Sequence, residues 1–550
     1  MAGSPDRLLR SVVLLDRPRL VTVLVVSLIS TAAGLLLPGA LATATDAVLG
    51  GHDVAAAVLW LLALGAAEVA ADAVNVLLPA QLTGNASAWL RRKVTDRLLA
   101  LGVGSPFAPG DAVSRVTGDC AMAGGVAAVL VRLISTGVLS SGAVVLLATL
   151  DWRLALVFLA SLPLAMLLAR SHLRGTAKDV LSYQRVSGEL GAGLLDAVAG
   201  LRTIAASGTA DAEADRVLRP LPRLHLAGLG MWRTQARMVW RAGLLLPTAE
   251  VAVLTAAGFG VLAGRLTVGD VLAALGYVSL GLGLVGQIPL LTSLSRTRSS
   301  ARRITEVLDT EPPSRGNLAL PEGTGALELR GATVRGALTE VDLTIPGGSF
   351  AALVGSSGSG KSTVVALLAG LRRPDAGQAL LDGCDLAELR PEELRAATGY
   401  ATAEPMLLGA TVAEAVAYGS PAGAPAVTAA CRTTRIHDVL VRLPHGYHTP
   451  IAETPLSGGE SARVGLARAL VREPRVLLLD DATASLDTVT ERAVTADLGD
   501  RTRVIVTHRA AMAARADLVV WLEAGRVRAV GPHEQLWQLP GYRAVFTEEA

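Results

Sequence analysis

Phe350-Ala351-Ala352-Leu353-Val354 runs into Gly355-Ser356-Ser357-Gly358-Ser359-Gly360-Lys361-Ser362-Thr363, and that loop opens directly into the helical stretch Val364–Leu371. An apolar strand, a glycine loop and a helix in this order carry the complete G-x4-G-K-S pattern in its strand–loop–helix setting. The glycines let backbone N–H groups turn inward on phosphates, and the helix N-terminus adds positive potential. In this pattern Lys361 reaches the β- and γ-phosphates of a nucleotide, and the Ser362 hydroxyl ligates Mg²⁺.

Downstream, Val476-Leu-Leu-Leu-Asp480-Asp481 is an apolar strand that ends in two acids. Asp480 is placed to hold Mg²⁺, partly through water, because the ion gives up its hydration shell reluctantly. Asp481 is the candidate to orient or deprotonate the attacking water. His508 ends another buried strand, Val504-Ile-Val-Thr-His508, and is a candidate sensor of the γ-phosphate. From about Ala326 to the end, strands and helices alternate, with strands expected over Glu328–Val334 and Glu340–Ile345; this is an α/β pattern. Ahead of it, Glu311-Pro312-Pro313-Ser314-Arg315-Gly316 reads as a turn-rich linker. The expected division is a membrane domain over 1–310, a linker over 311–325 and a nucleotide domain over 326–550.

The N-terminal half is apolar. Leu20–Thr45 holds no charged residue, enough for a spanning helix of roughly 20 residues. Five more spans are expected, at about Val54–Leu78, Leu133–Leu150, Leu154–Ala169, Ala242–Gly264 and Val271–Ser295. Pro5–Leu15 reads as an amphipathic helix at the membrane surface. Lys and Arg number 21 over residues 1–19, 83–132 and 170–241, whereas the opposite loops hold only Arg153 and Arg265. The N-terminus and everything after the sixth span are therefore cytoplasmic. Both long cytoplasmic connections read as helical extensions of the spans, through Trp89–Leu101 and Leu190–Ala206.

Half of the 550 residues are apolar and 18% are charged, with a mean hydropathy of +0.47, as a membrane protein requires. A formal net charge of +2 argues against a nucleic-acid partner. Cys120, Cys384 and Cys431 show neither a CxxC pair nor a metal-site spacing.

Further motifs carry a family resemblance. Leu456-Ser457-Gly458-Gly459-Glu460, with Arg463 and Leu466-Ala-Arg-Ala-Leu470, resembles the signature of ATP-binding cassette (ABC) proteins; Ala484-Ser485-Leu486-Asp487 resembles their D-loop. Gly110-Asp-Ala-Val-Ser-Arg115…Asp119, Leu266-Thr-Val-Gly-Asp270 and Arg303-Ile-Thr-Glu-Val-Leu-Asp309 resemble segments of ABC exporters. The resemblance implies an all-α six-helix transmembrane domain followed by an α/β P-loop domain of the ABC ATPase type. It implies ATP and Mg²⁺ as cofactors, a multi-pass protein of the cell membrane, and a second half-transporter as partner. Two nucleotide domains sandwich two ATPs, each between one chain's P-loop and the other's signature, so Leu456–Glu460 and Asp487 would serve the partner's nucleotide.

Four departures from the family bear on hydrolysis. The family's catalytic Glu is Asp481 here, one methylene shorter. Its Q-loop glutamine falls on Ala403 in Gly399-Tyr-Ala-Thr-Ala403-Glu-Pro405. Its adenine-stacking aromatic falls near Arg335, whose guanidinium can stack instead. The stretch before the signature, Glu453-Thr-Pro455, is short. The expectation is a chain that binds ATP tightly, hydrolyses it slowly at its own P-loop and completes a competent site on a different partner. A slow homodimer is the alternative.

Glu68, Asp72 and Asn75 share one face of the second span, and Glu250 lies at a similar depth in the fifth, both glutamates about 21 Å from the outer surface. Intramembrane acids point to a cationic or amphipathic transported molecule, or else to pairing across helix interfaces. Export is expected over import, because only about 19 residues precede the first span and leave no room for a substrate-processing domain. A soluble ABC ATPase is excluded by the spans, and measurable coupled ATPase would exclude a sensor or scaffold.

Overall fold

The computed structural model describes residues 4–547 apart from 52, 287 and 315, and excludes the side chains at 162, 164–181, 234, 235, 238, 239, 241–246, 284–289, 291 and 292. Arg315 of the expected linker and Gln287 of the expected sixth span thus lie outside the described residues. Two units are present: Met1–Ala100 with Pro106–Glu311, and Leu101–Ser105 with Pro312–Ala550.

The first unit is helical. A short amphipathic helix, α1 (Pro5–Val13), buries Leu9 and Val12 among Leu90, Val94, Ala301 and Ile304. The long helices are α2 (Arg17–Gly50), α3 (Val54–Leu101), α4 (Val126–Leu150), α5 (Trp152–Ala199), α6 (Leu221–Leu262), α7 (Val268–Gly286) and α8 (Ile288–Asp309). The first five expected spans fall on α2 to α6, and the described residues of the sixth fall on α7 and the start of α8. By length and apolarity, three helical stretches among the described residues are long enough to cross a bilayer: Arg17–Gly50, Val54–Gly104 and Pro109–Leu150. Shorter apolar stretches, Trp152–Ser161, Pro247–Leu262 and Val268–Gly283, lie on α5, α6 and α7. Leu62, Val69 and Val76 stand exposed on α3, as lipid-facing side chains do.

The first extension is continuous in α3, which runs 48 residues. The second is not one helix over Leu190–Ala206. It breaks at Gly200 and resumes as Leu201–Ser207 with a bend of 69°. A Cβ at Gly200 would meet the Asp196 carbonyl at 3.3 Å, so the turn closes tightly there.

The second unit holds two sheets. One is antiparallel, in the order β2 (Leu338–Ile345), β1 (Leu327–Val334), β4 (Ala376–Leu381), β5 (Cys384–Asp385). The other runs β10 (Arg526–Gly531), β9 (Leu518–Glu523), β3 (Phe350–Val354), β8 (Thr502–Val506), β7 (Val476–Asp480), β6 (Thr398–Thr402). Its strands from β9 to β6 pair in parallel. All five residues of β3 are buried, as expected for a strand covered on both faces. The segment read as linker is folded onto this unit from Leu318 onward. Leu318 N–H donates to the Glu388 carbonyl (2.9 Å), and Asp382 accepts from Gly325 and Ala326 N–H while pairing with Arg475 (2.7 Å).

Candidate functional site

Parallel pairing sets β3, β8, β7 and β6 with their carboxyl ends at one edge, where open α/β sheets bind ligands. Beyond β3 comes the glycine loop, and α9 (Lys361–Leu368) begins at Lys361. Gly355, Gly358 and Gly360 hold φ of 156°, 78° and 102°, a region an L side chain rarely adopts. A Cβ at Gly355 would sit 2.3 Å from the Leu522 carbonyl. The buried Lys361 donates from Nζ to the carbonyls of Gly355 (2.7 Å) and Ser356 (2.9 Å).

Ser362 Oγ donates to Asp480 Oδ1 at 2.9 Å, and Tyr400 OH donates to Oδ2 at 3.4 Å. Burial, reinforced by the Asp480 charge, pushes the Tyr400 phenol up to about 12. The donor set is hydroxyl and carboxylate oxygen, which suits a hard divalent cation. Among the described residues no three His, Cys, Asp or Glu side chains are arranged to hold a metal ion by themselves, so such a cation would draw its other ligands from phosphate and water. The buried Ser359 hydroxyl, which has no hydrogen-bond partner among the described residues, adds a polar group inside the loop. These features fit a magnesium nucleotide.

Asp481 follows β7 with φ of 52°, and its Oδ1 lies 3.7 Å from His508 Nε2. Ala403 directly follows β6, whose Thr402 is in register with Asp480, so it stands at the same edge. Arg335 is exposed in the β1–β2 turn, its N–H donating to Asp375 Oδ2 at 2.8 Å. Two and three residues on, Ala337 and Leu338 lie close against Gly360, which puts that turn beside the phosphate loop.

The signature residues sit at the start of α10 (Gly458–Leu470). Ser457 is its N-cap and forms a reciprocal capping box with Glu460: Ser457 N–H and Oγ donate to Glu460 Oε2 (2.8 and 2.9 Å), and Ser457 Oγ accepts from Glu460 N–H (3.3 Å). Hydrogen bonds from Ser457 hold the Glu460 carboxyl below its usual range. Asp487 caps α11 (Thr488–Ala496), accepting from Val489 and Thr490 N–H. Gly459 lies close to the D-loop, where a Cβ would be 3.0 Å from the Ser485 carbonyl. Within the membrane unit, Asp72 and Asn75 accept from Ser30 (2.9 Å) and Ser27 (2.8 Å) of α2, and Glu68 lies against Gly34. This face therefore joins two helices. Glu250 is half-buried in α6.

Residues 20–285 match the ABC transporter transmembrane region and residues 338–484 match the ABC transporter family. The chain is 40% identical over 544 residues to the ABC transporter ATP-binding protein RamA of Streptomyces coelicolor, covering 96% of this chain and 85% of that one. The chain belongs to the ABC transporter family. Over 267 residues, 46% of each chain, the transporter is 42% identical to the mycobactin import ATP-binding/permease protein IrtB of Mycolicibacterium thermoresistibile. Its fold is that of a bacterial Atm1-family ABC exporter solved with ATP bound, with a TM-score of 0.80 at 24% identity, covering 97% of this chain and 98% of that one. The transporter is thus a multi-pass membrane protein with a cytoplasmic nucleotide-binding domain that couples ATP hydrolysis to transport as a dimer.

Sequence reasoning missed Arg509, Glu491 and Tyr400. Arg509 NH1 pairs with the buried Glu491 (2.6 Å), and its NH2 donates to the carbonyls of Ala484 (3.2 Å) and Leu486 (3.0 Å). The only sequence signal for Arg509 was its place beside His508. Glu491 is eight residues beyond Thr483, whose hydroxyl it accepts (2.7 Å), and that spacing announces nothing.

Proposed function

We propose that this chain is the slow-hydrolysing half of a heterodimeric exporter: it holds Mg-ATP at its own P-loop and supplies its signature to a competent site on a different chain. The observation that carries this reading is the aspartate at position 481, adjoining Asp480 and 3.7 Å from His508. Against a glutamate, its carboxylate is withdrawn by about 1.5 Å, a bond length. A misplacement of about 1 Å costs on the order of 10²-fold in rate. Ala403 supplies neither a magnesium ligand nor a relay toward the membrane domain. Binding groups are retained, with Lys361, Ser362 and Asp480 set around the loop and Ser457 at the signature.

Bound magnesium would neutralise phosphate charge. Ser362 and Asp480 would hold it, Lys361 would meet the β- and γ-phosphates, and Arg335 would stack beside the base. Asp481 would orient water, held in place by His508. Glu68 and Glu250 would favour a cationic or amphipathic substrate.

The test is ATPase activity in lipid nanodiscs, for this chain alone and co-purified with a second half-transporter, with Asp481→Glu in parallel. The expected result is a nearly inactive chain alone, a fast pair, and a gain of about tenfold or more at this chain's own site in Asp481→Glu. Robust activity of the chain alone as a homodimer would defeat the reading. Similarity to IrtB favours a second reading, import on the exporter fold. The direction of flux separates the two.

A further inference from the structure

We infer that Arg509 is a positioning residue that ties the histidine facing this chain's nucleotide to the D-loop and, through it, to the signature serving the partner's nucleotide. The inference rests on the reading that the signature acts across the dimer.

Arg509 follows His508 directly, so a shift of one carries the other. Its guanidinium is bound on three sides. NH1 meets Glu491 Oε2 at 2.6 Å, while NH2 donates to two D-loop carbonyls, Ala484 at 3.2 Å and Leu486 at 3.0 Å. Glu491 is held in turn by the Thr483 hydroxyl at 2.7 Å, and only 5% of its side chain is exposed. The carbonyl between the two that Arg509 holds is that of Ser485, and this is the atom that a Cβ at Gly459 would approach to 3.0 Å. The path therefore runs from His508 through Arg509 to the D-loop carbonyls on either side of Ser485, whose own carbonyl lies close beside Gly459. It spans two functions that the ATP sandwich assigns to different nucleotides.

Only a forked, planar cation reaches both carbonyls and the carboxylate together. Lysine in its place keeps a cation beside the buried Glu491 but cannot hold both D-loop carbonyls. Glu491 exists in this geometry to fix the fork; Arg509 exists to fix the D-loop. The relay requires that a shift of His508 be felt at the D-loop that adjoins the signature.

The experiment uses the full transporter in nanodiscs, as it purifies with its partner subunit or with a second copy. Arg509→Lys and Arg509→Ala are compared with wild type by melting temperature, by photolabelling of this chain with 8-azido-ATP, and by ATPase rate against ATP concentration. For Arg509→Lys the expected outcome is unchanged melting, labelling within about twofold, a kcat lower by about tenfold, and loss of cooperativity between the two ATPs. Arg509→Ala should lose stability as well, because it strands Glu491. An Arg509→Lys protein with wild-type kcat and cooperativity would overturn the inference. So would one whose kcat falls only in step with its melting temperature, since Arg509 would then merely neutralise Glu491. The readout is the same for a homodimer or a heterodimer, so it fails independently of the partner assignment.

Discussion

At Gly355 the backbone holds φ of 156° with the Leu522 carbonyl 2.3 Å from where a Cβ would be. The obstacle is main chain of β9, which cannot swing aside as a side chain could. Gly355→Ala should therefore displace the loop whose carbonyl receives Lys361, and ATP photolabelling of this chain should fall by at least about tenfold while the membrane unit stays folded. Wild-type labelling would show that the loop tolerates the shift. The phosphate-loop residues were legible in the sequence because their roles follow from a fixed local spacing. Arg509 was not, because its partners Ala484, Leu486 and Glu491 are brought to it only by the sheet order. Asp487, a nucleotide contact by family resemblance, also caps α11 with its carboxylate.

Among the elements, the segment around Arg115 explains two motifs that sequence alone could only compare with relatives. Residues Arg115–Asp119 form a π-helical turn, a distortion often found at functional places. Arg115 is buried, stacks on Phe107, and pairs with Asp111 (2.7 Å) and Glu306 (3.0 Å) while bonding the Arg303 carbonyl. Arg303 returns the contact to Asp111 (2.5 Å) and Asp119 (2.9 Å). The charges of Gly110–Asp119 and Arg303–Asp309 thus form one clasp between the start of the third span's extension and α8. Arg115→Ala strands the acids around a buried position. Because Asp111 and Glu306 are partly exposed, the loss should be smaller than that of a fully buried pair. It should appear as a lower melting temperature, whereas an unchanged melt would make the clasp ornamental to stability. Helix ends were less legible than helices: of three glycines in Leu190–Ala206, Gly191 and Gly193 stay helical and only Gly200 breaks, with a bend of 69°.

For the whole molecule, the two-part organisation was legible because apolar length and strand–helix alternation are patterns of many residues. Transport direction is not written in such patterns. Polar groups on α3 that looked like a substrate face are bonded in part to α2, with Asp72 and Asn75 held by Ser30 and Ser27. Hydrogen bonds of that kind fasten helices in a bilayer. Glu68 and Glu250 are thereby left as the acids to test. In inside-out vesicles containing the transporter and its partner, an exporter should accumulate a cationic amphipathic dye when ATP is added, and Glu68→Gln with Glu250→Gln should lower that uptake severalfold. ATP-dependent dye loss from preloaded vesicles would favour the importer reading.

The capping box at Ser457 carries a cost that its geometry makes unavoidable. The hydroxyl that would meet a partner's γ-phosphate already receives the Glu460 amide and donates to the Glu460 carboxylate. To turn toward a phosphate it must release that carboxylate, whose negative charge would otherwise face the incoming one. Contact with a partner's nucleotide would thus exchange one anion for another at a single oxygen, while the Glu460 amide still caps the helix through the same Ser457 Oγ. When the phosphate leaves, that one hydrogen would return to Glu460, so the signature of the proposed partner site would carry its own internal competitor for the ligand.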